Sequence, residues 1–362
     1  MKKFKVLLAG LMTAGVLTLA GCGGGGGGGG GGGEPTVTAT TFNMIELAGF
    51  GGNFSAGIAI NDDGLAVGFS DTGSSMKGVR WTVTDVPSVA TTLEPLGGNN
   101  YSAAYGVNAD GIAVGESGVT IAANADANTV AVYWPAGSPA PLALSTTGLF
   151  AGGASAAFSI NADGKIVGEA VNDAEGNTVA VYWASPTAAP LILDNLTGGD
   201  FSSAYFIGAD GRIVGEAEGN NSNTQAVVWI PLLLVPGYEV PVALDPVDNQ
   251  RSSLALGVDN SGRIVGEAEL ASGVIQGVVW NANGTVAKNL GANTSLQAIN
   301  DSNRMVGYNL ALTGSDISSI WSLANILDTK SLAVAFSQAY GINGGNQVVG
   351  VSGNKAFAAL PE

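Results

Sequence analysis

The chain of 362 residues contains no histidine and a single cysteine. The first absence removes Ser-His-Asp and Cys-His catalysis together with His-based zinc or copper sites, and the second removes any structural disulfide. Charge is scarce, at 12% of residues, and its balance is acidic: 13 Lys and Arg against 29 Asp and Glu give −16. That argues against nucleic acid as a partner and against electrostatic attachment to anionic lipid. Beyond the first 21 residues no segment carries a helical period of apolar residues. The chain is nonetheless 46% hydrophobic and long enough to bury a large core.

The N-terminus reads as an address. Lys2, Lys3 and Lys5 precede an apolar stretch, Val6 to Thr18, that is short for a membrane span. Leu19-Ala20-Gly21-Cys22 then has the pattern of a bacterial lipobox, so Cys22 is the expected lipidation site and residues 1–21 the expected signal peptide. Eleven glycines, Gly23 to Gly33, follow as a flexible tether with a span of about 20 Å. Gly23 after the cysteine, by resemblance to Gram-negative lipoproteins, implies an outer-membrane lipoprotein, periplasmic or surface-exposed. A general secretory signal with an incidental cysteine is the plainer alternative. Residues 22–35 are thus read as lipidated cysteine and tether, and 36–362 as one domain.

What the domain has is repetition. A Ser-x-Ala strand, an Asn-x-x-Gly turn, a Val-Gly strand and an apolar strand closed by an aromatic recur seven times between Phe54 and Phe357. The turns are Asn61 to Gly64, Asn108 to Gly111, Asn161 to Gly164, Gly208 to Gly211, Asp259 to Gly262, Asn300 to Asn303 and Asn343 to Asn346. Asn or Asp at the first corner bonds its own backbone and Gly or Asn at the fourth accepts a left-handed conformation, as a type I hairpin turn requires. The strand glycines Gly68, Gly115, Gly168, Gly215, Gly266, Gly307 and Gly350 lie 47, 53, 47, 51, 41 and 43 residues apart, the spacing of a repeat architecture. All six tryptophans close the third strand of a repeat and Phe357 takes that place in the seventh, so the aromatic reads as a packing device.

Four strands per unit predict an all-β, seven-bladed β-propeller. The seventh repeat ends without a fourth strand, whereas Phe42 to Leu47 precedes the first and resembles the fourth strands elsewhere. The orphan strand is therefore expected to complete the last blade and remove a reactive sheet edge. A seven-rung solenoid is the competing architecture.

Candidate chemistry rests on carboxylates and aromatics. Glu116, Glu169, Glu216 and Glu267 share one register after the Val-Gly step of repeats two to five; they could flank a glycosidic bond or bind a cation, or else face solvent near a strand end or pair with bases such as Arg212 and Arg263. Phe54, Tyr101, Phe201 and Phe336 directly precede the first strand of four repeats. They are weighed as a stacking surface for a sugar or peptide, on the face where propellers usually bind ligands, and as plugs between neighbouring blades. Ser74 and Lys77 match Ser-x-x-Lys without its partner motif, and the loops holding Asn124, Asp126 and Asn128, or Asn172, Asp173 and Glu175, match no calcium motif. No cofactor and no metal is expected.

Ser-x-Ala-x-x-Ile-Asn-x-x-Gly-x-x-Val-Gly, followed by an apolar strand ending in Trp, resembles the bacterial HAF repeat of exported proteins over residues 42–360. The His-Ala-Phe that names that repeat is missing; Lys355-Ala356-Phe357 is its nearest counterpart. The expectation is a non-enzymatic, lipid-anchored envelope propeller presenting a binding surface to a glycan or protein. A carboxylate-dependent glycan hydrolase or lyase on the same scaffold is the alternative, and an assembly subunit a third.

Overall fold

A computed structural model of the chain describes residues 42–83, 88–119, 129–172, 174, 176–220, 223–232, 237–309, 317–322, 330–331 and 337–362. It forms seven four-stranded antiparallel sheets arranged as the blades of a closed β-propeller. Blade one runs outward through Ser55–Ile60, Leu65–Asp71, Met76–Thr82 and Val89–Leu93. In blade two the strands are Tyr101–Val107, Ala113–Gly118, Val130–Trp134 and Leu142–Ala143. Each innermost strand packs against the next around the ring, and that of blade seven packs against that of blade one, which excludes the solenoid. Blade seven takes Ser337–Ile342, Val348–Ser352 and Lys355–Pro361 from the C-terminal end and Phe42–Glu46 from the N-terminal end, in the register Phe42 to Pro361 through Glu46 to Phe357.

Four repeated residue types explain why the sequence folds this way. The fourth turn corner has φ of +77° at Gly164 and +61° at both Asn303 and Asn346, the left-handed conformation that glycine and asparagine tolerate. At the first corner, the Asn61 side-chain oxygen accepts the backbone N–H of Asp63 and Leu65 at 3.1 and 2.9 Å, closing the turn. The asparagine amide does a second job that local reasoning does not suggest. Asn61 donates to the Asn108 carbonyl at 2.9 Å, Asn161 to that of Gly208 at 3.1 Å, Asn300 to that of Asn343 and Asn343 to that of Asn61 at 2.8 Å each. With the longer Asn108 contact to Asn161 at 3.4 Å, these form a belt from blade to blade. Gly208 and Asp259 have no amide to give, so the belt stops at blades four and five.

The Val-Gly glycine answers a bulge. Every innermost strand slips register by one residue, as between Ala157 and Ser159, and this drives its carbonyl toward the second strand. A Cβ on Gly168 would lie 2.0 Å from the Ala156 oxygen, and the other six glycines of this register face the same backbone obstacle at 2.0 or 2.1 Å. Only glycine fits there.

The leading Ser or Thr of each innermost strand joins neighbouring blades. Ser102 accepts the N–H of Gly78, Ser155 that of Ala131, Ser202 that of Ala180 and Ser253 that of Ala226, at 2.9 to 3.0 Å. Thr294, Ser337 and Ser55 complete the set around the ring. The tryptophans are buried between blades. Five of them donate their indole N–H to a carbonyl in the segment linking the preceding blade to their own, at 2.7 to 2.9 Å.

Candidate functional site

In a ring of radial sheets both faces of every blade are covered by neighbours, so residues near the axis are buried whichever way they point. The residue after the repeated Ser or Thr of each innermost strand pairs with the residue after the Val-Gly glycine: Ala103 with Glu116, Ala156 with Glu169, Ser203 with Glu216 and Leu254 with Glu267. These carboxylates are accordingly not solvent-facing and not paired to Arg212 or Arg263. All four are at most 5% exposed, while Arg212 bridges Asp210 and Arg263 bridges Asp259. The expectation of a solvated register is corrected.

Their surroundings form a plug along the axis. Phe69 and Val351, which occupy the glutamate register in blades one and seven, belong to the same apolar cluster as Tyr105, Phe158, Tyr205 and Leu256. Glu116 Oε1 accepts the hydroxyls of Tyr101 and Tyr105 at 2.9 and 2.7 Å, and Glu216 Oε1 accepts that of Tyr205 at 2.6 Å. Burial, then the charge of Glu116, holds the phenols of Tyr101 and Tyr105 well above their ordinary range; burial and the charges of Glu216 and Glu169 do so for Tyr205. The phenols therefore keep their protons and act as donors.

Glu267 is held from the next blade, by the Ser295 hydroxyl and the Gln297 amide at 2.8 Å. Burial raises its carboxyl from 4.5 to about 7, the two hydrogen bonds pull it down and Glu216 pushes it further up. A carboxyl that binds its proton more tightly when folded contributes stability fully below about 4.5 and loses it as pH rises through about 7. Glu267→Gln should thus match the wild type in urea unfolding near pH 4.5, and exceed it near pH 8 by on the order of 3 kcal/mol. Equal stability of the two proteins at both pH values would contradict the buried placement.

Above the plug the axis opens. Among the described residues a cavity of about 380 Å³ is walled by all seven blades at the Asn-turn end. Its floor is the fourth residue counted from the repeated Ser or Thr of each innermost strand: Ile58, Tyr105, Phe158, Tyr205, Leu256, Gln297 and Tyr340. Its mouth is the second turn corner, exposed in each blade: Asp62, Ala109, Ala162, Ala209, Asn260, Asp301 and Gly344. Asp62 and Asp301 are the carboxylates of the lining; no Lys or Arg lines it, and none of the four glutamates does.

The cavity lies at the opposite end from the aromatics singled out in the sequence, and among the described residues none of them lines it. Phe54 stacks on Phe69, ring centroids 6.0 Å apart, and packs with Tyr101 against the axial plug rather than into gaps between blades. Phe201 is partly buried at the start of blade four, outside that cluster. Phe336, Cys22, the loop of Asn124, Asp126 and Asn128, and both Asp173 and Glu175 lie outside the described residues. Lys77 pairs with Glu94 at 3.4 Å and Ser74 with Thr72, so Ser-x-x-Lys is not a nucleophile and base pair. The floor aromatics were missed. Their signal is the fourth residue of the strand motif, aromatic in four copies at Tyr105, Phe158, Tyr205 and Tyr340.

No protein-family model and no curated protein matches the chain. Among solved structures it is similar to the WD40 β-propeller domain of Doa1, at 14% identity and a TM-score of 0.51, over 89% of this chain and 98% of that one. It is also similar to YCF48 bound to D1 peptide, at 9% identity and 0.52, over 90% and 96%. A puromycin hydrolase mutant complexed with PGG matches at 12% identity and 0.52, over 82% of this chain and 50% of that one. At such identities the likeness shows the fold, one that serves a WD40 domain, a peptide-bound protein and a hydrolase alike.

Proposed function

We propose that the chain is a lipid-anchored, non-enzymatic β-propeller of the Gram-negative outer membrane that binds a small group, carried by a glycan or a protein, in the cavity at its Asn-turn end. One observation carries the binding reading: every blade contributes a floor residue and a mouth residue to one cavity, of a size suited to a ligand group. The anchor rests on the lipobox and tether, and the repeat likeness to exported HAF proteins agrees with an envelope location. The glycan-hydrolase alternative was placed on the four repeated glutamates, and these are enclosed in the plug rather than open to a substrate.

Ala162 is exposed at the mouth, so Ala162→Trp should cover the cavity without disturbing the blades. On glycan and peptide arrays the wild type is expected to retain a ligand that this variant loses, with no turnover of any glycan. Hydrolysis by the wild type, absent when the four glutamates are changed to Gln, would establish the enzyme instead; equal capture by Ala162→Trp would remove the cavity from the reading. In cells, Cys22→Ser should leave an unprocessed precursor without acyl label.

A further inference from the structure

The walls of the cavity select a sign of charge. Tyr105, Phe158 and Tyr205 stand side by side on the floor, with successive ring centroids 5.8 Å apart. Because the hydroxyls of Tyr105 and Tyr205 donate to Glu116 and Glu216, electron density is pushed into the rings, which deepens their attraction for a cation. At the mouth, Asp62 Oδ1 accepts the backbone N–H of Gly344 at 2.7 Å and Asp301 Oδ1 that of Asn260 at 2.8 Å, each across a blade boundary. Both carboxylates are thereby fixed at the rim of a cavity whose lining holds no base. Each innermost strand is bonded on one side only and turns its free edge to the axis, where its carbonyl acceptors stand alternately with N–H groups. An anion entering here would meet two like charges and no donor side chain of opposite sign.

We infer that the cavity binds a primary ammonium group on a slender chain, the three N–H donors directed to the rim carboxylates and strand carbonyls and the alkyl stem or charge set against the aromatic floor. This rests on the cavity-binding reading above and names its ligand chemistry. The ammonium could belong to a free alkyl amine or to a lysine side chain of a peptide.

Calorimetric titration of the full-length chain in nonionic detergent with cadaverine, a lysine tripeptide and pentanediol tests it. At least one amine is expected to bind, with the neutral diol weaker by about tenfold or more and high salt lowering the amine affinity. Tighter binding of the tripeptide identifies the lysine source, and tighter binding of cadaverine the free amine. Asp62→Asn combined with Asp301→Asn keeps a side-chain oxygen for the two backbone N–H donors, gives up the bond from the Asn260 amide to Asp301, and should weaken the amine by about tenfold. Should that variant fail to fold, the amine and diol comparison on the wild type decides alone. Absence of amine binding, or a diol that binds as well, overturns the inference; if an array ligand is still lost on Ala162→Trp, the binding reading survives it.

Discussion

Removal of residues 42–48 should abolish the closed propeller: aggregation in size-exclusion chromatography and loss of the cooperative thermal transition are the expected results. This segment supplies the outer strand of blade seven, pairing Phe42–Glu46 with Phe357 to Pro361. It also buries Ile45 and Leu47, the latter completely, each contributing about 1.5–3 kcal/mol of hydrophobic stabilisation. The Leu47 N–H bonds the Ala356 carbonyl, and the Ala48 carbonyl accepts the Trp81 indole, so the same seven residues also brace blade one. Without them Lys355–Pro361 becomes an edge of unpaired backbone groups, ready to pair with another chain. A truncated protein that elutes as the wild type does and melts at the wild-type temperature would show that closure contributes nothing.

The architecture was legible because its signals are local and repeated. A turn asparagine, a left-handed glycine and a strand-ending tryptophan each report on a few residues of chain, and seven copies in register leave few topologies. Closure by Phe42–Glu46 could be read from the mismatch between the two ends. The orientation of Glu116, Glu169, Glu216 and Glu267 could not. In an ordinary sheet a polar residue alternating with apolar ones marks the wet face, but a blade has no wet face near the axis, and the alternation loses that meaning. The bulge before the turn adds to the difficulty, since it alters which innermost-strand residue stands beside which partner. The sequence pointed to the aromatics at the strand start, where Phe54 and Tyr101 do meet the plug. The cavity floor lies farther along the same strand, at Tyr105, Phe158, Tyr205 and Tyr340.

Buried acids and a bare acidic rim make this interior unusual for a protein held together by backbone pairing. In the plug Glu116, Glu216 and Glu267 each present one oxygen to neutral hydroxyl or amide donors, at Tyr101, Tyr105, Tyr205, Ser295 and Gln297. Such neutral donors satisfy an oxygen without supplying a countercharge.

The tryptophans carry the stability that this interior does not supply. Trp183→Ala should lower unfolding free energy by about 3–5 kcal/mol, measured by urea titration. The indole is fully buried between blades two and three, against Val114, Leu144 and Ile160 among others. Its removal loses the transfer free energy of a large side chain and leaves a cavity that rigid strands on both sides are slow to fill. The indole N–H also donates to the Ser145 carbonyl at 2.8 Å, tying blade three to the segment that leaves blade two. Trp183→Phe separates the two contributions: it retains much of the ring and forfeits the hydrogen bond, and should cost about 1–2 kcal/mol beyond the small loss of volume. A loss for the alanine variant below about 1 kcal/mol, the range of surface sites, would place the ring outside the blade interface. Equal losses for Phe and Ala would assign the whole effect to the hydrogen bond. Because Trp81, Trp134, Trp229 and Trp280 are buried in the same register and bonded in the same way, each is expected to give a loss of the same order. Two substitutions flanking one blade should exceed the sum of the singles, since both weaken contacts of that shared blade.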